Sequence, residues 1–290
     1  MAADTAELLK KVRRIELKTK GLSNQIFSGE YHSAFKGRGM AFSEVREYTV
    51  GDEVRTIDWN VTARLGHPYV KIFEEERELT VILVVDVSAS DSFGTSEQIK
   101  KSLITEICAV LAFSAITNND KIGVIFFSNK VEKFISPKKG KTHILRIIRE
   151  LIEFTPEDQG TNISEALRYL NNVVKKRSIA FLITDFMDTE YEDSLKLANR
   201  KHDLVALRIH DRREGEMPNV GMAQFYDPET GETRWVNTSS RKVREAYREA
   251  ALIRESRADN ALRRAGVDTA AIATDESYIK PLRNLFSKRS

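Results

Sequence analysis

The chain has 290 residues, of which 41% are hydrophobic and 31% charged, a balance typical of one large or two ordinary globular domains. Its 46 basic and 43 acidic residues leave a formal net charge of only +3, so bulk electrostatics do not argue for nucleic acid as a partner, although this charge is compatible with a local basic patch. A single cysteine forms no internal disulfide, so the fold does not depend on an oxidising compartment. No stretch approaches the roughly 18 continuous apolar residues of a membrane span, and the polar N-terminus lacks a signal-peptide core, so we expect a cytoplasmic protein.

The first 76 residues predict a small β-rich module. Residues 5–20 have the apolar spacing of a short charged helix, and glycines punctuate a loop over residues 21–39. Apolar and polar side chains then alternate over residues 57–64, which predicts a half-buried strand, and residues 69–74 predict a second strand. We therefore expect an N-terminal module over residues 1–76.

The remainder, residues 77–290, alternates strands with helices. Continuous apolar strands are predicted at residues 79–85, 121–128, 179–184 and 204–209, with shorter strands at 131–135 and 267–273. Helices are predicted at about residues 97–117, 141–153, 162–175, 190–200, 239–264 and 278–286, and a hairpin turn at 228–231. This alternation predicts an α/β fold with a mainly parallel sheet flanked by helices.

Polar side chains follow the first buried strand directly, where a parallel sheet presents its C-terminal edge to ligands. Asp86, Ser88 and Ser90 place one carboxylate and two hydroxyls at alternate positions. Thr161 stands where a helix is predicted to begin, and Asp185 follows another buried strand, so both are expected at the same edge. Oxygen ligands suit Mg²⁺, Mn²⁺ or Ca²⁺ rather than zinc. These five residues therefore predict a site for a hard divalent cation.

The pattern Asp-x-Ser-x-Ser, followed by Gly-Thr and then Thr-Asp, resembles the metal-ion-dependent adhesion site of von Willebrand factor A domains. The resemblance implies a von Willebrand factor A-like, Rossmann-type fold for the larger part of the chain. It further implies that Ser88, Ser90 and Thr161 contact the metal, while Asp86 and Asp185 act directly or through water. A carboxylate from a partner protein would complete the octahedral shell.

Three residues near the predicted site depart from that pattern or add to it. Phe186 stands where many relatives have glycine after the aspartate. Asp91 and Asp188 add carboxylates, which either tighten or redirect cation binding, contribute to a partner surface, or are simply solvated.

A dense series of residues in the N-terminal part narrows the family. The series comprises Gly37-Arg38-Gly39-Met40-Ala41-Phe42, Arg46-Glu47-Tyr48, Gly51-Asp52, Arg55-Thr56-Ile57-Asp58-Trp59 and Ala63-Arg64. It is similar to the bacterial family catalogued as domain of unknown function fifty-eight, which joins such a segment to a von Willebrand factor A-like domain. Genes of that family commonly neighbour those of MoxR-type AAA+ ATPases, so the resemblance implies such an ATPase as partner.

Two interpretations of the charged residues in this series stay open. Arg46, Arg55, Asp58 and Arg64 either form a buried or half-buried ion network around Trp59, or the three arginines form a partner surface that grips carboxylates in bidentate fashion.

Enzyme motifs are incomplete. Ser88 stands where a haloacid-dehalogenase-type phosphatase needs its acid aspartate, and Ile135 stands where a P-loop ending at Thr142 needs its first glycine. The sequence therefore predicts a metal-dependent protein-binding module rather than an enzyme. By resemblance it would be an adaptor or co-chaperone that acts with a MoxR-type ATPase on a client offering an acidic side chain. The alternative is a metal-dependent hydrolase, either a phosphoesterase or a nuclease.

Overall fold

The structure is a computed structural model that describes residues 12–16, 19, 40–75, 79–88, 95–158, 160–211, 214–226 and 233–289. The chain forms two compact units. The smaller unit is Lys36–Leu79, and the larger unit combines Thr80–Ser290 with Met1–Phe35. Within the described ranges, no helix is both long enough and apolar enough to cross a lipid bilayer.

The smaller unit is built on a two-stranded antiparallel sheet of β1 (Met40–Glu47) and β2 (Tyr69–Glu75). Between the strands lie a short 3-10 helix, Val54–Thr56, and the helix α1, Trp59–Leu65. The strand predicted over residues 69–74 is confirmed as β2.

The strand predicted over residues 57–64 is wrong, because most of that segment forms α1. The Asp58 carboxylate caps the helix by accepting hydrogen bonds from the backbone N–H groups of Asn60 and Val61, at 3.0 and 3.3 Å. Gly66 ends the helix in the left-handed conformation, at φ 77°. The segment is therefore a helix, because its N-terminal cap and its terminating glycine favour a helix more strongly than the alternation of apolar and polar residues favours a strand.

The larger unit contains a six-stranded sheet in the order β10-β7-β6-β3-β4-β5. Its strands are β3 (Thr80–Asp86), β4 (Lys121–Phe127), β5 (Val131–Lys138), β6 (Ile179–Thr184), β7 (Asp203–His210) and β10 (Asp268–Ala273). All neighbouring strands are parallel except the β4–β5 pair. The predicted mainly parallel α/β fold is confirmed.

Helices cover both faces of this sheet. They are α2 (Thr95–Thr117), α3 (Lys141–Glu153), α4 (Ile163–Val173), α5 (Glu192–Lys201), α6 (Arg241–Arg264) and α7 (Ile279–Ser287). On one face, Ile82 and Val84 belong to an apolar cluster with residues of α4, α5 and the C-terminal part of α6. On the other face, the ring of Phe181 packs edge-on against Phe286 of α7. The predicted hairpin is present as β8 (Met222–Tyr226) and β9 (Thr233–Asn237).

The strand order reverses between β3 and β6. From β3 the chain proceeds to β4 and β5 on one side, and it later builds β6, β7 and β10 on the other side. In such sheets the crevice at the carboxyl ends of the two central strands is where ligands bind. The residues at this position are Asp86, the last residue of β3, and Asp185, which follows β6 directly.

Candidate metal site

Asp86 is the buried centre of the C-terminal edge of the large sheet. The residue is only 8% exposed, and both of its carboxylate oxygens accept hydrogen bonds. Oδ1 accepts from the backbone N–H of Ser88 at 3.0 Å, and Oδ2 accepts from the hydroxyl of Thr184 at 2.6 Å. The Thr184 bond joins the ends of β3 and β6, so it fixes the Asp86 carboxylate at the point where the strand order reverses.

The surroundings of Asp86 disfavour its negative charge. Burial, followed by the charge of Asp185, raises the pKa of Asp86 to about 7. Two buried carboxylates that interact in this way repel each other when both are ionised, and a bound cation relieves that repulsion. The electrostatics of the edge therefore favour a cation.

Asp185 is held by a lysine that the sequence analysis did not single out. Its Oδ2 lies 2.7 Å from Nζ of Lys100, and its Oδ1 accepts from the backbone N–H of Met187 at 3.1 Å. Lys100 lies on α2 and is only 7% exposed. Burial alone would lower the pKa of Lys100. The charges of Asp185 and Glu214 nevertheless raise this pKa above its usual range, so the ammonium stays charged.

The sequence did contain a signal for Lys100. It stands three, four and seven residues before Leu103, Ile104 and Ile107, which are all buried. That spacing puts Lys100 on the inward face of α2. A lysine in phase with the core stripe of a helix is an indication that a buried carboxylate faces it.

The loop before α4 carries Thr161 to the same edge. Its neighbour Asn162 donates its backbone N–H to the carbonyl of Ser128, which follows β4, at 2.8 Å. The Asn162 side chain in turn caps α4 by accepting the N–H of Glu165 at 2.9 Å. Thr161 itself is half-buried. In the described part of the chain, hydrogen bonds thus join Asp86 to Ser88 and Thr184, whereas Thr161 is held at the edge through Asn162.

Asp188 connects two of the loops at this edge. Its Oδ2 accepts the N–H of Ile163, the first residue of α4, at 2.9 Å, and its Oδ1 accepts the N–H of Thr189 at 2.6 Å. The carboxylate therefore caps α4 from the loop that carries Asp185. Its observed partners are backbone amides, so Asp188 connects the two loops, and its place in a partner surface stays a prediction.

Phe186 stands where many relatives have glycine, and its backbone adopts the conformation that favours glycine. Its φ is 61°, in the left-handed region that favours glycine, and its N–H donates to the Thr184 hydroxyl at 3.2 Å. The side chain is nevertheless only 4% exposed and packs edge-on against Tyr191, with ring centroids 5.6 Å apart. Apolar burial of the ring offsets the backbone strain.

Two predicted residues, Ser90 and Asp91, lie outside the described residues. Their assignment as a metal ligand and as part of a partner surface stays a prediction.

In the smaller unit, the predicted ion network around Trp59 is wrong. Arg46 forms a bidentate pair with Asp52, at 2.7 and 2.8 Å, and this pair closes the turn after β1. Asp58 caps α1 and lies 3.5 Å from Lys71. The Trp59 side chain is 67% exposed, because it projects from the first turn of a surface helix instead of an inward-facing strand.

The partner surface predicted from Arg46, Arg55 and Arg64 stays open. Arg55 and Arg64 are exposed, so both are accessible to a partner, whereas the Arg46 guanidinium is already paired with Asp52.

The donor set at the edge fits a hard divalent cation. Asp86, Ser88, Thr161 and Asp185 offer oxygen atoms of the type that Mg²⁺ and Ca²⁺ prefer. Across the described ranges, no three or more His, Cys, Asp or Glu residues are grouped so that they could hold a metal ion. A cation at this edge would therefore rely on hydroxyls and on a further ligand from outside the chain, and it would have to share Asp185 with Lys100.

The fold and this edge define a doubly wound α/β protein with a candidate cation site at its switch point. The chain belongs to the family described as "Protein of unknown function DUF58", which matches residues 44–258 and confirms the resemblance found in the sequence. It is 26% identical over 289 residues to the uncharacterized protein Mb1516 of Mycobacterium bovis and to the uncharacterized protein Rv1480 of Mycobacterium tuberculosis. Each alignment covers 99% of this chain and 91% of the relative.

Solved structures that match part of this chain include a conserved hypothetical protein, BatB, from Bacteroides thetaiotaomicron. It is 17% identical with a TM-score of 0.48, covering 73% of this chain and 98% of that one. An aerotolerance-related membrane protein from Bacteroides fragilis is 16% identical with a TM-score of 0.49, covering 72% and 99%. A structure of proximal thread matrix protein 1 from the mussel byssus, described with a zinc-occupied MIDAS motif, is 19% identical with a TM-score of 0.36, covering 46% and 38%.

Proposed function

We propose that this chain is a protein-binding module whose C-terminal sheet edge holds a divalent cation, and that the cation captures a carboxylate of a client protein. One observation carries the proposal: the carboxylate of Asp86 is buried at the switch point, is fixed by Ser88 and Thr184, and interacts with a second buried carboxylate. Two buried carboxylates at one edge need positive charge beside them, and of these two the Lys100 ammonium is paired with Asp185.

The residues proposed to hold Mg²⁺, or else Mn²⁺ or Ca²⁺, are Asp86, Ser88, Ser90, Thr161 and Asp185. A bound cation with an open position would supply a Lewis-acidic centre for an anionic oxygen. Around that centre, the Thr184 hydroxyl and the Ser88 amide orient Asp86, and the amide of Met187 orients Asp185. This is the support that a metal site needs from the residues behind its ligands.

By family resemblance, we further propose that the module is an adaptor or co-chaperone of a MoxR-type AAA+ ATPase. The setting proposed for this activity is the cytoplasm, because an ATPase partner requires ATP. The residues at the sheet edge support the proposal that the chain binds a protein. The family resemblance is the reason for choosing this class of ATPase as the partner.

A metal-dependent hydrolase remains the second candidate because of the raised pKa of Asp86, since general acids and bases are tuned toward neutral pH. The position of Asp86 favours binding instead. It is 8% exposed, and its two oxygens are engaged by groups of the chain itself, so it is poorly placed to exchange a proton with a substrate.

The test is capture of a purified MoxR-type ATPase from the same organism by the immobilised full chain, in Mg²⁺ and in EDTA. We expect capture in Mg²⁺ that is lost in EDTA and in Ser88→Ala. The matched control is Ser114→Ala, because Ser114 is also buried but lies in the C-terminal part of α2, and it should behave as the wild type. Capture that ignores both EDTA and Ser88→Ala would contradict the proposal. Turnover of phosphate esters that is lost in Asp86→Ala would favour the hydrolase.

A further inference from the structure

The ammonium of Lys100 lies against the very carboxylate that the proposed cation needs. Nζ is 2.7 Å from Oδ2 of Asp185 and 3.4 Å from Oε1 of Glu214. The side chains of Lys100 and Asp185 are both almost completely buried, so this contact is not a chance surface pair. A lysine is buried in this way when a specific carboxylate compensates its charge.

A divalent cation and a lysine ammonium compete for Asp185. Both are positive, and like charges repel strongly at contact distance in a buried site. In the described structure the Lys100 ammonium compensates the charge of Asp185, so a cation that binds there must weaken or displace the Lys100 contact. The buried lysine is therefore an internal competitor of the metal.

Glu214 offers Lys100 a second position. It lies on the segment after β7, and its Oε2 accepts the backbone N–H of Asp211 at 3.3 Å, which holds the carboxylate next to Lys100. The Glu214 side chain is 34% exposed and lines an open cavity of about 460 Å³, so there is space beside it for the displaced ammonium. A shift of Nζ from Asp185 to Glu214 needs only rotations within the flexible lysine side chain.

We propose that Lys100 is a tethered counter-cation, which binds Asp185 when no divalent cation is present and moves to Glu214 when the cation binds. This inference rests on the proposed function in taking the C-terminal edge as the cation site. It adds that Lys100 sets the affinity of that site and that Glu214 receives the displaced ammonium. In the metal-free edge, Lys100 thereby compensates the charge of Asp185.

The test is a calorimetric titration of Mg²⁺ into the full chain carrying Lys100→Met or Glu214→Gln. We expect Lys100→Met to tighten Mg²⁺ binding by about tenfold or more, because the cation no longer displaces a charged group from a buried carboxylate. Glu214→Gln should weaken binding by a few-fold, because the displaced ammonium loses its acceptor. An unchanged or weaker affinity in Lys100→Met overturns the proposal.

The matched control is Lys101→Met. Lys101 is the next residue of the same helix, and its Nζ donates to the backbone carbonyl of Phe154 at 2.8 Å rather than to a carboxylate of the edge. We expect this variant to bind Mg²⁺ as the wild type does. If it tightens binding as much as Lys100→Met, the effect is one of overall charge and the proposal fails.

A measurement on the wild type covers the case in which Lys100→Met does not fold. In a ¹⁵N-labelled chain, the Nζ resonance of a buried, paired lysine can be followed by NMR, and Lys100→Arg identifies its signal. The signal should shift as Mg²⁺ saturates the site. A Nζ signal that stays unchanged at saturating Mg²⁺ overturns the exchange.

The outcomes separate this inference from the proposed function. If ATPase capture is absent but Lys100→Met alone tightens Mg²⁺ binding, the partner proposal fails and the counter-cation stands. If capture depends on Mg²⁺ but Lys100→Met and Lys101→Met bind alike, the counter-cation fails and the binding function stands. If neither the wild type nor Lys100→Met binds Mg²⁺, both are overturned.

Discussion

The two compact units of this chain use charged residues in opposite ways. In the larger unit, Asp86, Lys100 and Asp185 are buried at the end of an apolar sheet and interact with one another. In the smaller unit, the Arg46–Asp52 pair is partly exposed and closes a local turn. The same residue types thus form a costly buried cluster in one unit and ordinary surface contacts in the other.

The contrast is clearest for two aspartates whose pKa values move in opposite directions. Burial and the charge of Asp185 raise the pKa of Asp86 to about 7, whereas hydrogen bonds from Arg46 lower the pKa of Asp52 to about 2. A fold retains a buried carboxylate of the first kind at a stability cost, and that cost is a reason to look for a ligand there. The lowered pKa of Asp52, in contrast, follows from the hydrogen bonds by which this carboxylate stabilises a turn.

The largest expected effect comes from Asp185→Asn. This substitution leaves the buried Lys100 ammonium without its closest carboxylate, and breaking a buried pair in this way should lower the free energy of unfolding by about 3 kcal/mol. Urea denaturation in EDTA measures the change. The matched control is Asp52→Asn in the smaller unit, which should move the midpoint far less because its ion pair is partly solvated. Equal losses in the two variants would remove the contrast between the units.

The second prediction compares two aromatic residues. In Phe186→Gly, losing the buried ring costs about 3 kcal/mol, and relief of the left-handed backbone returns about 1 kcal/mol, so a net loss of about 2 kcal/mol is expected. Trp59→Ala should change stability by no more than about 0.5 kcal/mol, because its side chain is largely exposed. Thermal unfolding of both variants tests this. A more stable Phe186→Gly variant would mean that strain, rather than burial, dominates at this position.

The third prediction concerns pH and is the smallest in free energy. A cation binds the ionised form of Asp86, so binding releases a proton when the pH is below the pKa of about 7. Affinity for Mg²⁺ should therefore fall by about tenfold from about pH 8 to about pH 6. Calorimetry in two buffers of different ionisation enthalpy measures both the affinity and the released proton.

The smaller unit provides the comparison for this pH dependence. The pKa of Asp52 is lowered, so its contribution to stability is present above its unfolded pKa of about 3.8 and is lost only as the pH falls toward 2. The stability of Asp52→Asn should therefore lie below that of the wild type by a constant amount near neutrality, and the two should converge as the pH falls from about 4 toward 2. If Mg²⁺ affinity were flat between pH 6 and 8, Asp86 would not be a ligand with a raised pKa.

The sheet and its ligand edge followed from the sequence because continuous apolar runs mark strands buried on both faces. Residues 79–85 and 179–184 were predicted as strands and form β3 and β6, with Asp86 and Asp185 at their ends. The smaller unit was harder, since alternation over residues 57–64 is compatible with a strand. The cap provided by Asp58 favours a helix there, because a cap and a terminating glycine specify even a short helix locally.

What the sequence by itself determined is the order of the elements, the family and the set of oxygen-bearing residues at the ends of strands. Those features are local, because apolar periodicity and short motifs are encoded within a few residues of each other. Only the tertiary structure decided that Lys100 pairs with Asp185 and that Asp188 fastens one loop to the start of α4. Lys100 is 85 residues from Asp185 along the chain, and such a contact exists only once the sheet has brought α2 and β6 together.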